Sequence, residues 1–307
     1  MFLGFDTSNY TTSVAFFDGK EIFQKKKLLE VKAGERGLRQ SDAIFQHTVN
    51  LPVLMKMLTE ELDFKSIRSV GVSTRPRNID GSYMPCFLVG ESNAVCVSSV
   101  NKVPLYKTSH QVGHILAALY SIDRLDLIKK PFIAFHVSGG TTEALLVTPD
   151  DEEIIKAELI AESTDLKAGQ AVDRAGVMMG LKFPCGAELD KMAQNSSKEF
   201  KIKPSMNVLN CSLSGVENKA KKMFENNESN NDIAKFVVSY ISEALSEMLE
   251  RIMKKFGKMP VVFAGGVSSN SIIKEKIGKK YNAYFAKPEY SCDNASGIAI
   301  YAYLKSL

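Results

Sequence analysis

Apolar and polar residues form blocks along this chain that predict alternating strands and helices. Two short apolar runs, Met1–Asp6 and Ser13–Phe17, are joined by a polar turn, which predicts two strands. Apolar positions recur near the helical period over residues 42–63, which predicts a helix. Val70–Val72 and the residues before Ser109 predict two more short buried strands. The first part of the chain is therefore typical of an α/β protein.

A second block of the same kind begins at residue 132. The strand Phe132–Val137 leads into Gly139-Gly140 and a second strand, Ala144–Thr148. Later, a long amphipathic helix spans Phe236 to Ile252, and the strand Val261–Ala264 precedes another Gly-Gly pair and a helix. Both blocks open with strand, polar turn and strand, which is how the two lobes of the actin-like ATPase fold hold phosphates. Turns of this kind present backbone N–H groups to anions.

We therefore predict an α/β, two-lobed actin-like ATPase fold with a central cleft between the lobes. The N-terminal lobe is expected to span residues 1–128, and the C-terminal lobe residues 129–307, with the last helix packing back on the first lobe. The length of 307 residues agrees with two domains, because one ordinary core rarely organises that many residues.

Composition gives only limited information about the class of protein and its partners. The net charge of +4 permits a nucleic-acid partner without predicting one. Five cysteines, an odd number without a CxxC pair, argue against a zinc knuckle or a disulfide framework and for a reducing compartment. No signal peptide and no spanning apolar run is recognisable, so we expect a cytoplasmic protein without membrane association.

His110 and His114 are the most informative pair in the chain. Ser109 is a good N-cap, so a helix is expected to begin at His110, and residues four apart then lie on the same helix face. Both imidazoles can point at one metal ion, but a third ligand must come from elsewhere. Asp293 is the leading candidate, because two nitrogens and a carboxylate are familiar for zinc and non-heme iron. The alternative for Asp293 is a cap of the last helix.

Residues 165–193 are rich in groups that can bind a nucleotide. A helix that carries Asp173 is predicted to end near Gly180, and helix resumes at Ala187 after a Pro-Cys-Gly turn. Asp173 and Asp190 flank that turn, where carboxylates could accept hydrogen bonds from ribose or amino-acid groups. The alternative is that both carboxylates cap helix ends and face water.

Three other polar features are assigned no catalytic role. His47 is expected to be a packed or surface histidine within the helix 42–63. Lys25–Lys27 are interpreted as a solvated loop or helix end. Ser138 has no base and acid partners in a triad order, which argues against a serine hydrolase.

Taken together, these motifs resemble the tRNA threonylcarbamoyl-adenosine synthase family over nearly the whole chain. The motifs that carry the resemblance are Gly4–Ser8, His110-x-x-x-His114, His136–Gly140, Ala171–Asp190, Ser212–Gly215, Ala264–Asn270 and Ser291–Ala295.

The resemblance implies a fold, a reaction and a set of site residues. It implies the actin-like fold and metal-dependent transfer of a threonylcarbamoyl group from threonylcarbamoyl-adenylate to the adenosine beside the anticodon of tRNA. An iron or zinc ion would be held by His110, His114 and Asp293. ATP or the adenylate would be bound by the segment His136-Val137-Ser138-Gly139-Gly140 and by Asp173, Gly186, Asp190 and Asn270. A related, non-catalytic partner of the same fold and a small ATPase are implied as partners, beside tRNA.

Several positions depart from the family pattern. An acidic pair is replaced by Tyr10 and Thr11, and an acidic residue between the histidines by Val112. Other expected residues are replaced by Thr141, Cys185 and Glu217, and a Gly-Pro-Gly segment by the longer and more polar residues 74–85.

Because carboxylates that could move or orient protons are absent, we interpret the chain as a divergent paralogue. Two further hypotheses therefore stay open beside tRNA modification: a nucleotide- and metal-binding scaffold or regulator, and carbamoyl-type transfer to another acceptor. A metallopeptidase is disfavoured, because no Glu directly follows His110.

Overall fold

The computed structural model describes residues 1–8, 10–31, 38–62 and 66–307. The chain divides into two compact units. The first unit contains residues 1–129, 149–157 and 289–307, and the second contains residues 130–148 and 158–288. The first unit thus includes two segments, 149–157 and 289–307, that follow the boundary expected near residue 128.

The first unit is built on a sheet whose described strands occur in the order β3-β2-β1-β4-β5. The strands are β1 (Phe2–Asp6), β2 (Thr11–Phe17), β3 (Ile22–Leu28), β4 (Ser69–Arg75) and β5 (Leu105–Ser109). Antiparallel pairing joins β1 to β2 and β2 to β3, and parallel pairing joins β1 to β4 and β4 to β5. The central strand β1 is buried along its whole length, as expected for a strand covered on both faces.

Helices cover this sheet. They are α1 (Gln40–Glu60), α2 (Phe87–Asn101), α3 (His110–Ser121) and, from the end of the chain, α9 (Ser296–Leu304). The core includes apolar side chains of β1, β2, α1 and β4, among them Leu3, Phe5, Leu51 and Val72. No helix in the described ranges combines the length and the apolarity that a bilayer crossing requires.

The second unit contains most of a sheet of order β12-β11-β6-β7-β8, since residues 149–157, at the end of β7 and the start of β8, belong to the first unit. Its strands are β6 (Phe132–Val137), β7 (Thr142–Asp150), β8 (Ile154–Glu162), β11 (Val261–Ala264) and β12 (Ala283–Phe285), and Ser205–Asn207 and Asn210–Ser212 form the hairpin β9–β10. The helices are α4 (Ala168–Met178), α5 (Gly186–Gln194), α6 (Ser214–Glu225), α7 (Asn230–Phe256) and α8 (Ser271–Lys280). The long helix α7 is buried along one face and supplies much of this core.

The two sheets have the same plan, because each begins with an antiparallel pair and continues into parallel strands on the other side of its first strand. The predicted pattern of strand, polar turn and strand is therefore confirmed in both halves. One assignment is wrong: Lys25–Lys27 lie within β3 rather than in a loop. β3 is an edge strand, and lysines are common there because their charge opposes pairing with another chain. The predicted helix 42–63 is present as α1, and residue 63 lies outside the described residues.

Helix α9 packs unusually close to α3 and β1. A Cβ on Gly297 would overlap the carbonyl oxygen of Gly113, and a Cβ on Gly4 would overlap the backbone nitrogen of Ala299. Glycine is needed at both positions because backbone, which cannot move aside like a side chain, occupies the space. These contacts fix the distance between the start of α3 and the segment that precedes α9.

We predict that Gly297→Ala lowers the free energy of unfolding by about 2–3 kcal/mol, because the added methyl group forces α9 away from α3. The measurement is urea denaturation followed by circular dichroism. Gly278→Ala is the control, since its Cβ would lie 3.8 Å from the nearest heavy atom, Cε2 of Phe285. An unchanged midpoint for Gly297→Ala would show that α9 can shift without cost.

Candidate metal centre and phosphate turn

The start of α3 presents two histidines on one face. Ser109 caps the helix, because its Oγ accepts a hydrogen bond from the backbone N–H of Val112 at 3.3 Å. The imidazole ring centroids of His110 and His114 lie 4.2 Å apart. The predicted helix start and the predicted common face of the two histidines are both confirmed.

Asp293 meets this pair. It lies three residues before α9, and the side chain of Asn294, rather than that of Asp293, accepts the backbone N–H of Ser296 at 3.0 Å. The helix-cap alternative for Asp293 is therefore wrong. Asp293 Oδ1 lies 3.1 Å from Nε2 of His114 and 3.4 Å from Nε2 of His110.

These three side chains have the donors and the spacing that a metal ion requires. One ligand atom from each residue lies within 4.8 Å of the others. Two ligand atoms at about 2.1 Å from an ion lie roughly 3.0–3.4 Å apart at angles of about 90–109°. The two Nε2–Oδ1 distances match that range. Two imidazoles and one carboxylate, with further coordination positions open, suit zinc or iron.

A second carboxylate, Asp6, lies on the other side of His110. Its Oδ2 is 2.8 Å from Nδ1 of His110. Its Oδ1 accepts the hydroxyl of Ser73 at 2.6 Å and the backbone N–H of Ser8 at 3.1 Å. The hydroxyl of Ser8 also lies 2.8 Å from Nδ1 of His110. Asp6 is 1% exposed, so water does not compete for these hydrogen bonds.

The two carboxylates make this place favourable for positive charge. Burial by itself would lower the pKa of His110, but Asp6 and Asp293 together raise it to about 10. Burial would raise the pKa of each carboxyl group, yet hydrogen bonds and charge from the histidines hold the pKa of Asp293 well below its ordinary value and also lower that of Asp6. A cation is therefore stabilised where the three predicted ligands meet.

The second unit contains the predicted phosphate turn, at the junction of β6 and β7. Gly139 and Gly140 are exposed, and a Cβ on either would meet nothing within 4 Å. Helix α4 begins directly beside this turn, because the backbone N–H of Gly169 donates to the carbonyl of Ser138 at 3.1 Å. Gly265 packs against Val137 at φ +98°, where a side chain would clash. The turn is thus an open backbone surface beside the positive end of a helix.

The predicted ribose-binding residues lie on elements that pack together around α4 and α5. Asp190 Oδ1 accepts the side-chain amide of Asn270 at 2.9 Å and the hydroxyl of Ser271 at 2.8 Å. Asp173 Oδ1 accepts the backbone N–H of Cys185 at 2.9 Å, directly before exposed Gly186. Asp173 thus accepts an N–H group at the start of α5, and Asp190 accepts the backbone N–H of Ser271 at the start of α8 at 3.2 Å. Both carboxylates therefore cap the starts of other helices, in agreement with that part of the alternative, but they are half-buried rather than fully exposed to water.

Several departures from the family pattern have a structural explanation. Val112 is buried, so a carboxylate at this position would need a partner inside the core. Cys185 is buried against Gly176, where a Cβ would clash with its side chain. Glu217 forms a salt bridge with Arg174 at 2.8 Å. At Thr141 the backbone N–H donates to the hydroxyl of Ser138 at 3.2 Å, within the predicted phosphate turn, and this bond does not depend on the Thr141 side chain.

Sequence reasoning missed the roles of Asp6, Ser8 and Asp165. The sequence places Asp6 at the end of a strand and Ser8 in the polar turn that follows it, and the structure brings both side chains against His110. Asp165 accepts the backbone N–H groups of Leu166, Leu213 and Ser214 at 2.6, 2.8 and 3.3 Å, together with the hydroxyl of Ser212. It therefore holds the Ser212–Gly215 motif, and a single Asp between two polar turns gives no sequence signal for this.

Comparison with known proteins decides the family. The sequence model of the tRNA N6-adenosine threonylcarbamoyltransferase family matches residues 23–300. The chain belongs to this family. A member from Christiangramia forsetii is 32% identical over 85% of this chain and 79% of its own length. A member from Riemerella anatipestifer is 30% identical over 99% of this chain and 92% of its own length.

Solved structures confirm the predicted actin-like ATPase fold. Component A of (R)-2-hydroxyglutaryl-CoA dehydratase from Acidaminococcus fermentans has a TM-score of 0.58 at 17% identity, covering 99% of this chain and 98% of that protein. A ROK hexokinase from Thermus thermophilus has a TM-score of 0.57 at 14% identity, with the same two coverages. At these identities the likeness concerns the fold alone.

We predict that Asp165→Asn lowers the free energy of unfolding at pH 7 by about 1 kcal/mol, since the side chain is exposed and water screens part of the interaction. Burial would raise the pKa of Asp165, but hydrogen bonds from Ser212, Ser214 and the backbone lower it well below 3.8. The charged form therefore stabilises the fold above pH 3.8, and this contribution is lost as the pH falls towards the lowered pKa.

The measurement is urea denaturation of both proteins between pH 7 and pH 3. The difference between them should stay constant down to about pH 4 and then shrink. A difference that grows with acidity would contradict the sign of this pKa shift.

Proposed function

We propose that this protein carries out the reaction of its family: transfer of a threonylcarbamoyl group from threonylcarbamoyl-adenylate to the adenosine beside the anticodon of tRNA. The proposal includes a divalent iron or zinc ion, held by His110, His114 and Asp293. The observation that carries it is the convergence of these three donors to within 4.8 Å in a chain of this family. Tyr10 and Val112, which depart from the family pattern, are not among these three donors.

The residues around His110 would hold the ligand atoms in place. A metal ion bound there would act as a Lewis acid towards the transferred carbonyl group. The imidazoles of His110 and His114 present Nε2 towards Asp293, and the packing of α9 on α3 limits how far the carboxylate can move. The first unit therefore supplies rigid ligands, which a reaction of this kind needs.

The second unit would bind the adenylate. The segment His136–Gly140 would contact the acyl-phosphate, with the exposed backbone of Gly139 and Gly140 beside the start of α4 as the support for this assignment. The backbone N–H of Ser138 is already donated to the carbonyl of Thr141 at 2.7 Å. Asp173, Gly186, Asp190 and Asn270 would contact the adenosine and its ribose. Since Asp190 already joins Asn270 and Ser271, it would also keep α5 and α8 at a fixed distance.

We also propose partners and a compartment. The family resemblance supports tRNA as substrate and a related protein of the same fold, with a small ATPase, as partners. Helix α1 exposes Phe45, Val49, Val53 and Met57 at four-residue spacing, which supports protein contact on this face. Five free cysteines and a tRNA substrate support action in the cytoplasm.

We predict that the purified protein retains about one equivalent of iron or zinc and that His110→Ala removes at least nine-tenths of it, because two remaining ligands hold such an ion weakly. Metal content is measured by inductively coupled plasma mass spectrometry after dialysis. His136→Gln, in β6 of the second unit, is the matched histidine control and should keep the metal. Stoichiometric metal in a His110→Ala, His114→Ala double variant would reject the ligand assignment.

We predict that the protein restores threonylcarbamoyl-adenosine in the tRNA of a strain that lacks its own synthase, with mass spectrometry of tRNA nucleosides as the measurement. Asp293→Ala should abolish the modified nucleoside, whereas Asp151→Ala, a change at an exposed carboxylate in the first unit, should retain it. Absence of the nucleoside with well-expressed wild-type protein and its partners would favour the scaffold hypothesis.

A further inference from the structure

We propose that Asp6 is a positioning residue for the metal: it keeps the proton of His110 on Nδ1, so that Nε2 is presented to the ion. The inference rests on the proposed metal site. It assigns to the end of β1 a role in metal binding, which the sequence alone does not indicate.

The geometry gives each ring nitrogen of His110 a separate task. Nδ1 lies 2.8 Å from Oδ2 of Asp6, and Nε2 faces Asp293 at 3.4 Å. An ionised carboxylate can only accept hydrogen bonds, so the Nδ1 atom beside it must carry the proton. A histidine ligand must be neutral, and with the proton on Nδ1 the lone pair of the neutral ring is on Nε2, the nitrogen that faces the other predicted ligands.

Asp6 is itself held in one orientation. Its Oδ1 is committed to the hydroxyl of Ser73 at 2.6 Å and to the backbone N–H of Ser8 at 3.1 Å, which leaves Oδ2 for the imidazole. Asp6 ends the central strand β1, between β2 and β4, and the hydroxyl of Ser13 donates to its backbone carbonyl at 3.1 Å. The carboxylate therefore cannot rotate away without breaking hydrogen bonds inside the sheet.

The hydroxyl of Ser8, also 2.8 Å from Nδ1, does not replace this function. A hydroxyl can donate or accept, so it is compatible with either tautomer of His110. A carboxylate is compatible with only one, and its negative charge also strengthens the imidazole as a ligand. Loss of Asp6 should therefore weaken metal binding more than loss of the Ser8 hydroxyl.

The test measures metal binding directly, with Zn²⁺ and Co²⁺ as probes. Asp6→Asn, which keeps the shape and removes the charge, should raise the Kd for Zn²⁺ about 10–100-fold. It should also shift the visible absorption bands of the Co²⁺-loaded protein. Ser8→Ala should change the Kd less than Asp6→Asn.

The matched control is Ser13→Ala, which removes a buried hydrogen bond to the backbone carbonyl of Asp6 but does not affect a contact of the His110 imidazole. It should leave the Kd and the Co²⁺ spectrum unchanged. If His110→Ala loses the metal while Asp6→Asn binds it with the wild-type Kd and spectrum, the role of Asp6 is refuted and the metal site stands. If His110→Ala keeps the metal, the proposed site itself fails.

A second measurement does not depend on the folding of Asp6→Asn. Nitrogen-15 spectra of the histidine rings in the Zn²⁺-loaded wild-type protein should show a proton on Nδ1 of His110 and none on Nε2. His110→Gln identifies the resonances. A proton on Nε2 of His110 would overturn the inference.

Discussion

A half-buried imidazole between two carboxylates, Asp6 and Asp293, is the interaction on which the first unit depends. His110 belongs to α3, Asp6 to the end of β1, and Asp293 to the segment before α9. An unpaired charge at such a place would cost several kcal/mol, so the three groups stabilise one another only when all the segments are in position. The same arrangement that stabilises positive charge also collects the donors that an ion requires.

The strands, the main helices and the position of both histidines on one helix face were largely predictable from sequence. Apolar periodicity identified β1, β2 and α1, and the cap at Ser109 placed both histidines on one face of α3. β3 was not predictable, because three consecutive lysines hide the apolar residues of an edge strand. Apolar periodicity predicts segments that are buried against their neighbours, but it does not predict segments that border solvent.

Contacts between segments that are distant along the chain were also not predictable from the sequence. Asp6 is separated from His110 by 104 residues, and nothing in a single chain indicates that the end of β1 lies against the start of α3. Asp293 could be proposed only from its residue type and from the family resemblance. The exclusion of its capping role required the position of Asn294, since adjacent Asp and Asn residues are equally suited to begin a helix.

The first unit is discontinuous along the chain, since residues 289–307 follow the whole of the second unit. During synthesis, β1 and α3 leave the ribosome long before Asp293 is made. The ligand set is therefore incomplete in every nascent chain that stops short of its last segment. Helix α9 also covers β1 and β4, which it contacts at Gly4 and Gly71. These two strands therefore stay partly uncovered until the last residues of the chain have been made. The proposed metal centre is thus complete only in chains whose translation is nearly finished, and truncated products lack one of its three proposed ligands.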